Sequence, residues 1–276
     1  MKLINKIGFM QGRLSPMIRN KLQAFPFAYW EKEFEIANSL NIKLMEWTID
    51  NFQFKKNPII QNKILIKKLS INNNLLIPSI TLDFFMESPI WILNKKDGLF
   101  LEKKLLTVLE SCKSLGITNI IIPVLDNSSI KNEKEKNKFI EFVIKFKNFL
   151  IKNKLRILIE SDLDPISKLR FIKKFPNNIF GINYDTGNSA FMGYDINDEM
   201  KYYKNFIYNI HIKDRKFKGP SVMLGDGHYD FKSLFKKIVK IYKGNYILQS
   251  ARYKKNYVKD LKNNYNFLID NIKNYY

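Results

Sequence analysis

The stretch RILIESDLDPISKLRFIKKFPNNIFGINYDT (156–186) decides the fold expected of this chain. Its two ends, RILIES (156–161) and FGINYDT (180–186), are short runs that are apolar on both faces. That pattern is typical of parallel strands covered by helices, because an antiparallel strand with one wet face alternates instead. Between them, Asp164 followed by Pro165 is a helix start, an N-cap with proline at the first helical position. The stretch therefore predicts a strand, a helix over 164–175 and a second parallel strand.

The same alternation runs through the whole chain. The other predicted strands are residues 6–11, 43–48, 75–81, 119–125, 207–213 and 246–251. The other predicted helices are residues 26–41, 98–116, 131–154, 230–242 and 253–276. Eight strands at roughly 35 residues per unit, with no Gly/Ser linker between them, predict an α/β fold, a single (β/α)8 TIM barrel domain over residues 1–276. A doubly wound open sheet is the alternative, and the lack of a G-x-G-x-x-G motif after the first strand weakens it.

The amino-acid composition limits the kinds of partner and the cellular location expected of this protein. The net charge of +21 comes mainly from lysines spread over nearly every predicted helix, whereas arginine, the better phosphate fork, is scarce. We therefore expect no specific nucleic-acid partner. The single cysteine, Cys112, excludes an internal disulfide, and we read no signal peptide and no membrane span, so we expect a cytoplasmic protein. The aromatic-rich loops are compatible with a homodimer.

Polar residues stand where the predicted strands end, which is where TIM barrels carry their chemistry. Glu160, Asp185, His211 and Gln249 follow apolar runs on four consecutive strands. A carboxylate in that position is costly to bury without a partner, and a divalent cation supplies one. Two carboxylates, an imidazole and an amide oxygen suit Mn²⁺, Mg²⁺, Co²⁺ or Zn²⁺. The alternative is a set of unrelated hydrogen-bonded residues.

Basic residues after strands 1, 7 and 8 point to the substrate. Arg13, Lys213, Arg215 and Arg252 lie on neighbouring strands once a barrel closes, and loops after strands 7 and 8 often bind phosphate in this fold. We predict that they bind an anionic group of the substrate, the alternative being surface salt bridges.

Three further residues are candidates for the site. Glu46 ends the second predicted strand, and His228 lies in a glycine-punctuated loop after the seventh; either is a candidate acid/base group. Trp47, beside Glu46, is a candidate wall for an apolar side of the pocket, although most aromatic residues in such a chain are core.

The chain resembles the xylose-isomerase-like sugar phosphate isomerase/epimerase family, which includes endonuclease IV and the ketose epimerases. The resemblance covers nearly the whole chain and is carried by GFMQGRLSP (8–16), MEW (45–47), ILIESD (157–162), NYDTGNS (183–189), HIKDR (211–215), LGDGHYDF (224–231) and ILQSAR (247–252). It implies that Glu160, Asp185, His211 and Gln249 bind the metal and that Glu160 acts as a base. The implied substrate is a small, acidic or phosphorylated sugar that reacts through an enediolate.

Gln249 departs from the ketose epimerases, in which the corresponding residue is a second glutamate that acts as an acid/base group. An amide oxygen can ligate a metal, but an amide cannot take up a proton at neutral pH. A second proton-transfer group would then be Glu46, His228 or water. A lyase or dehydratase, a hydrolase, and a sugar-binding barrel without activity remain alternatives. The zinc cluster of endonuclease IV needs many histidines, and this chain has two.

Overall fold

Eight parallel strands close into a barrel in the computed structural model, which describes residues 3–18, 21, 23–253 and 255–275. The barrel strands are β1 (Ile7–Met10), β2 (Leu44–Ile49), β3 (Leu76–Leu82), β4 (Asn119–Val124), β5 (Arg156–Ser161), β6 (Phe180–Asp185), β7 (Ile207–Ile212) and β10 (Asn245–Leu248). Their order around the barrel is β1-β10-β7-β6-β5-β4-β3-β2. The predicted TIM barrel is confirmed, and each predicted strand overlaps an observed one. A small antiparallel hairpin, β8 (Asp214–Arg215) with β9 (Ser221–Val222), follows β7.

Helices connect the strands on the outside of the barrel. They are α1 (Trp30–Ser39), α2 (Pro58–Gln61), α3 (Lys63–Asn72), α4 (Phe84–Glu87), α5 (Lys95–Leu115), α6 (Glu133–Ile144), α7 (Lys147–Asn153), α8 (Pro165–Ile172), α9 (Thr186–Met192), α10 (Ile196–Tyr203), α11 (Phe231–Ile238) and α12 (Tyr257–Ile272). Asp164 caps α8 as expected, through hydrogen bonds from the backbone N–H groups of Ile166 and Ser167. Within the described range, no helix combines the length and apolar character needed to cross a bilayer.

The observed helices differ from the predicted ones in three ways. The predicted helix over 131–154 is two helices, α6 and α7. Helices α2, α3, α4, α9 and α10 were not predicted, because they are short or lack a clear apolar stripe. The predicted last helix over 253–276 includes Lys254 and Tyr276, which lie outside the described residues, and α12 begins at Tyr257.

The inside of the barrel is apolar along its length and polar at its mouth. Side chains that pair across parallel strands project to the same face, and residues two apart along a strand share it. Ile121 of β4 pairs with Leu158 of β5, and both are buried inside the barrel. Glu160 follows Leu158 by two residues and so lies on the same face, nearer the mouth. The period of two places the strand-end polar residues in one interior layer.

Candidate metal centre at the barrel mouth

Glu160, Asp185 and His211 meet at the mouth of the barrel. One ligand atom from each lies within 4.8 Å of the others, and all three side chains are buried. Asp185 and His211 are direct partners in the β6–β7 ladder, which fixes their spacing through the backbone. Within the described parts of the chain, this is the one group of three His, Cys, Asp or Glu residues that could hold a metal ion.

Glu46 fixes the orientation of His211. The Nε2 atom of His211 lies 2.6 Å from Glu46 Oε1, and its Nδ1 atom lies 3.1 Å from Glu160 Oε2. Histidines that bind metals commonly donate their second ring N–H to a carboxylate, which fixes the tautomer and aims the other nitrogen at the ion. The arrangement therefore directs Nδ1 of His211 towards Glu160 and Asp185.

Glu46 itself is fully engaged. Its side chain is buried and also accepts hydrogen bonds from Ser79 Oγ (2.7 Å), Thr81 Oγ1 (2.6 Å) and Asn209 Nδ2 (2.9 Å). With His211, these donors give each carboxylate oxygen two partners. The geometry suits an orienting group better than a group that exchanges protons with a substrate.

Two asparagines within the strands extend this network and were missed by sequence reasoning. Asn183 Nδ2 donates to Glu160 Oε2 at 2.7 Å, and Asn209 Nδ2 donates to Asn183 Oδ1 at 2.8 Å. Asn183 stands two residues before Asp185, and Asn209 stands two before His211. The period of two along a strand was the available signal, since it places each asparagine on the same face as the ligand that follows it.

The negative charges of the cluster favour the binding of a positive charge. Burial alone lowers the pKa of His211, but the carboxylates of Glu46 and Glu160 outweigh it and hold that pKa well above its ordinary value. For Glu160, burial raises the pKa, but His211, Lys213 and the Asn183 hydrogen bond outweigh it and lower the pKa. In the absence of a metal ion, a proton on His211 thus balances the neighbouring carboxylates.

Two buried oxygen atoms that lack hydrogen-bond donors also indicate a cation site. Asp185 Oδ2 and Gln249 Oε1 are buried and have no hydrogen-bond partner among the described residues. Gln249 stands two residues after Ile247, which pairs with His211, so its side chain projects from the interior face of the sheet. Lys213 Nζ lies 3.9 Å from Asp185 Oδ2, too far for a hydrogen bond. The donor set, two carboxylates with an imidazole and an amide oxygen left unpaired, fits a divalent cation.

Arg13 and Arg252 form hydrogen bonds between the loop after β1 and the loop after β10. Arg252 donates from Nη1 to the carbonyl oxygens of Gly12 and Ser15. Arg13 donates from Nε to the carbonyl oxygen of Ser250 at 3.0 Å. Burial and the charge of Arg252 lower the pKa of Arg13 to about 9. Both guanidinium groups thus join the loops after β1 and β10.

Arg215 and His228 belong to the loop after β7. Arg215 donates from Nε and Nη2 to the carbonyl oxygen of Gly219, and its guanidinium lies 4.0 Å from the ring centroid of Phe191. His228 is exposed, and its Nδ1 accepts a hydrogen bond of 2.7 Å from the backbone N–H of Phe217. The structure therefore ties both side chains to this loop.

Asp214 holds the glycine-rich part of that loop in place. Its buried carboxylate accepts hydrogen bonds from the backbone N–H groups of Gly225, Gly227 and Tyr229. A Cβ atom at Gly227 would lie 1.9 Å from Asp214 Oδ1, so the close approach requires glycine.

Trp47 lies on the face of β2 opposite to Glu46. It is fully buried, donates from Nε1 to Asn57 Oδ1 at 3.1 Å, and packs against Phe25 and Trp30. The structure places this residue in the layer between the barrel and its helices.

A comparison with models of protein families matches residues 27–270 to a family described as the xylose isomerase-like TIM barrel. A search of curated proteins returned no match.

Solved structures share the fold, sugar epimerases among them. IolI protein with a bound zinc atom has a TM-score of 0.76 at 13% identity, over 98% of this chain and 99% of that one. D-psicose 3-epimerase from Clostridium cellulolyticum H10, solved with D-tagatose, has a TM-score of 0.75 at 12% identity, over 97% of this chain and 99% of that one. A sugar phosphate isomerase/epimerase from Parabacteroides distasonis ATCC 8503 has a TM-score of 0.71 at 16% identity, over 95% of this chain and 93% of that one. At these identities the likeness shows the fold. With the family match over residues 27–270, the chain belongs to the xylose isomerase-like TIM barrel family.

Proposed function

We propose that this protein is a divalent-metal-dependent isomerase or epimerase of a small sugar. The observation that carries the proposal is the buried cluster of Glu160, Asp185 and His211, with Nδ1 of His211 aimed into it by Glu46. The similar folds of a zinc-bound IolI protein and of D-psicose 3-epimerase support it.

Glu160, Asp185, His211 and Gln249 would hold the ion. Once bound, a divalent cation supplies electrophilic stabilisation of negative charge on the carbonyl and enediolate oxygens of a sugar. The chain's own residues do the rest: Glu46 keeps His211 in the ligating tautomer, and Asn183 and Asn188 hold the carboxylate of Glu160 through hydrogen bonds of 2.7 and 3.1 Å.

Glu160 is the proposed base. Its carboxylate is held by amide donors that leave it ionised, and it would take the proton from the carbon next to the sugar carbonyl. Gln249 cannot share that work, because its amide does not accept a proton at neutral pH.

Lys213 is the proposed substrate-binding cation. Its Nζ atom faces Asp185 at 3.9 Å, whereas Arg13, Arg215 and Arg252 already donate to backbone carbonyl oxygens. We therefore assign the arginines to holding the loops around the mouth. Lys213 would bind a hydroxyl, carboxylate or phosphate group of the sugar.

A dehydratase is the second candidate, and Gln249 is the observation that favours it. Removal of a proton by Glu160 followed by loss of water needs one base on the carbon rather than two. Mass spectrometry separates the two reactions, because a dehydration product is lighter than its substrate by one water molecule, whereas isomerisation leaves the mass unchanged.

Metal content tests the proposal. Full-length protein purified in the presence of Mn²⁺ should carry about one ion per chain, and His211→Ala should carry far less. His228→Ala is the matched control, since it removes the other histidine from an exposed loop position. The loaded wild type should also exchange a carbon-bound hydrogen of a ketose with deuterated water. Equal metal content in all three proteins would contradict the assignment of His211.

A further inference from the structure

An enediolate reaction that inverts the configuration of a carbon needs a second group to return the proton. The other polar side chains near the metal centre are poorly suited to this role. Each carboxylate oxygen of Glu46 accepts two hydrogen bonds. Gln249 carries an amide, and His228 is exposed, with its Nδ1 occupied by a backbone N–H. Lys213 lies beside Asp185, directly after the neighbouring strand β7. A proton donor on the side of the mouth away from Lys213 and Asp185 must come from another strand.

Asp83 is the candidate for this proton donor. It follows directly after β3, and β3 is the fourth strand from β7 in both directions around the closed barrel, so Asp83 stands across the mouth from His211. Its side chain is buried, with 7% of the residue exposed. A buried carboxyl group at the carboxyl end of a TIM-barrel strand is in the position where this fold carries catalytic residues.

A chain of hydrogen bonds links Asp83 to the candidate metal centre. Gln23 Nε2 donates to Asp83 Oδ2 at 2.8 Å, and Gln249 Nε2 donates to Gln23 Oε1 at 2.8 Å. One amide group therefore separates Asp83 from a proposed metal ligand. The same contact turns the Gln249 amide so that its nitrogen faces Gln23, while its oxygen is left without a hydrogen-bond partner in the described structure.

The charges around Asp83 favour its protonated form. The pKa of Asp83 is raised from 3.8 to about 7, mainly by burial; the hydrogen bond from Gln23 lowers it, and the carboxylates of Glu160, Asp50 and Glu46 raise it. Arg13 is a positive group near enough to interact electrostatically with Asp83. Near neutral pH, a carboxyl group in this environment can hold a proton and release it, as a general acid requires.

We propose that Asp83 is the second proton-transfer residue of the site. It stands across the mouth from His211 and two strands away from Glu160 on β5, so it approaches a bound sugar from a different side and delivers a proton to the face of the reacting carbon that Glu160 does not serve. This inference rests on the proposed function. Glu160 takes the proton as the C–H bond breaks, and the electron pair forms the enediolate. The O–H bond of Asp83 then breaks, its proton forms a new C–H bond to the same carbon, and the electron pair returns to the carbonyl. One proton is taken and one is given, with no change of oxidation state. Exchange with water through the open mouth restores Glu160 and Asp83.

The two half-reactions can be measured apart. Wild type, Asp83→Asn and Glu160→Gln are loaded with Mn²⁺ and incubated in deuterated water with D-tagatose, D-fructose, D-allulose or D-fructose 6-phosphate. Deuterium in the recovered sugar reports removal of the proton by Glu160, and the appearance of the epimer reports delivery from the other face. Glu87→Gln is the matched control, because it makes the same change of carboxylate to amide at an exposed residue of α4.

In Asp83→Asn, we expect normal Mn²⁺ content, deuterium exchange within about threefold of wild type, and epimer formation reduced at least about 100-fold, the lower range for loss of a general acid. Glu160→Gln should lose both reactions, and Glu87→Gln should lose neither. Epimer formation in Asp83→Asn within about threefold of wild type would overturn the inference. So would an equal loss of exchange and epimer formation at normal metal content, because Asp83 would then act in the first step. A wild type that neither exchanges nor converts any of these sugars would instead overturn the proposed function, and the inference with it.

Discussion

Replacing Glu46 with glutamine should weaken metal binding while leaving every proposed ligand in place. Each carboxylate oxygen of Glu46 accepts two hydrogen bonds, Oε1 from Thr81 and His211, and Oε2 from Ser79 and Asn209. In Glu46→Gln, an NH₂ group takes the place of one of these oxygens. The hydroxyl groups can rotate to accept from it, but a ring N–H or an amide NH₂ cannot.

Either orientation of the new amide therefore disturbs the network. If the NH₂ group faces His211, the ring must move its proton from Nε2 to Nδ1, the nitrogen that would ligate the metal. If it faces Asn209, that side chain cannot turn over without placing its oxygen against Asn183 Oδ1, 2.8 Å from the present donor. A buried unsatisfied group of this kind costs about 1–3 kcal/mol of folding free energy.

The expected loss of metal affinity is about 10- to 100-fold, the range found when a partner that orients a metal-bound histidine is removed. This corresponds to about 1.4–2.8 kcal/mol. Competition between the protein and a chelator for Mn²⁺ measures the affinity, and urea denaturation of metal-free protein measures the stability. Because the chain has two histidines, ¹⁵N-histidine labelling with Zn²⁺ bound gives two sets of ring signals, and His228→Ala assigns them.

Glu33→Gln is the matched control. Glu33 is also a buried carboxylate, but it accepts from the backbone N–H groups of Gly12 and Leu14 and does not contact His211 in the described structure. We expect it to lose stability and keep its affinity for Mn²⁺. If Glu46→Gln bound Mn²⁺ within about twofold of wild type, with the His211 Nε2 proton unchanged, the orienting role of Glu46 would be refuted.

Three further predictions concern protonation and packing. Metal affinity should rise with pH by up to about tenfold per pH unit between pH 6 and 8, because the raised pKa of His211 means that the ion must displace a proton. Competition with a chelator at pH 6, 7 and 8 measures the affinity. An affinity that does not change with pH would contradict this prediction. The pKa of Asp83, raised from 3.8 to about 7, means that the folded chain binds more protons than the unfolded chain across that window, so the group's contribution to stability falls as pH rises. Relative to Asp83→Asn, wild type should lose about 3 kcal/mol between pH 5 and pH 8 in urea denaturation, and an equal loss in both proteins would count against the burial argument. Gly8→Ala should destabilise the fold by about 2 kcal/mol or more, since its Cβ would lie 2.7 Å from the carbonyl oxygen of Leu44, whereas Gly98→Ala, inside a helix with open space around it, should stabilise by about 0.5–1 kcal/mol. Thermal denaturation of the pair checks both signs, and a stable Gly8→Ala would show that β1 and β2 can separate.

Local patterns predicted the barrel well because the signals lie within single segments. Apolar runs marked all eight barrel strands, and the polar residues at their ends included Glu160, Asp185 and His211, which the barrel brings together. Helix α3 was missed because exposed apolar residues blur its amphipathic pattern, as at Ile64 (83% exposed) and Ile71 (79% exposed).

Roles that depend on a distant partner could not be predicted. Arg252 had the residue type and position of a substrate-binding group, but it donates to the backbone of Gly12, 240 residues away in the chain. Asp83 follows the third strand and so shares the strand-end position of Glu160, but its link to Gln249 runs through Gln23, which lies in the distant loop after β1.

The sequence alone determined that Glu160, Asp185 and His211 stand at the mouth end of their strands, because the order and polarity of the strands are properties of each segment. Only the tertiary structure decided what those side chains do there. Glu46 and His211 lie 165 residues apart, and their 2.6 Å contact exists because closing the barrel brings β2 and β7 to the same interior. That contact assigns Glu46 to orienting an imidazole, since the capacity of a buried carboxylate to accept hydrogen bonds is limited and here is already taken.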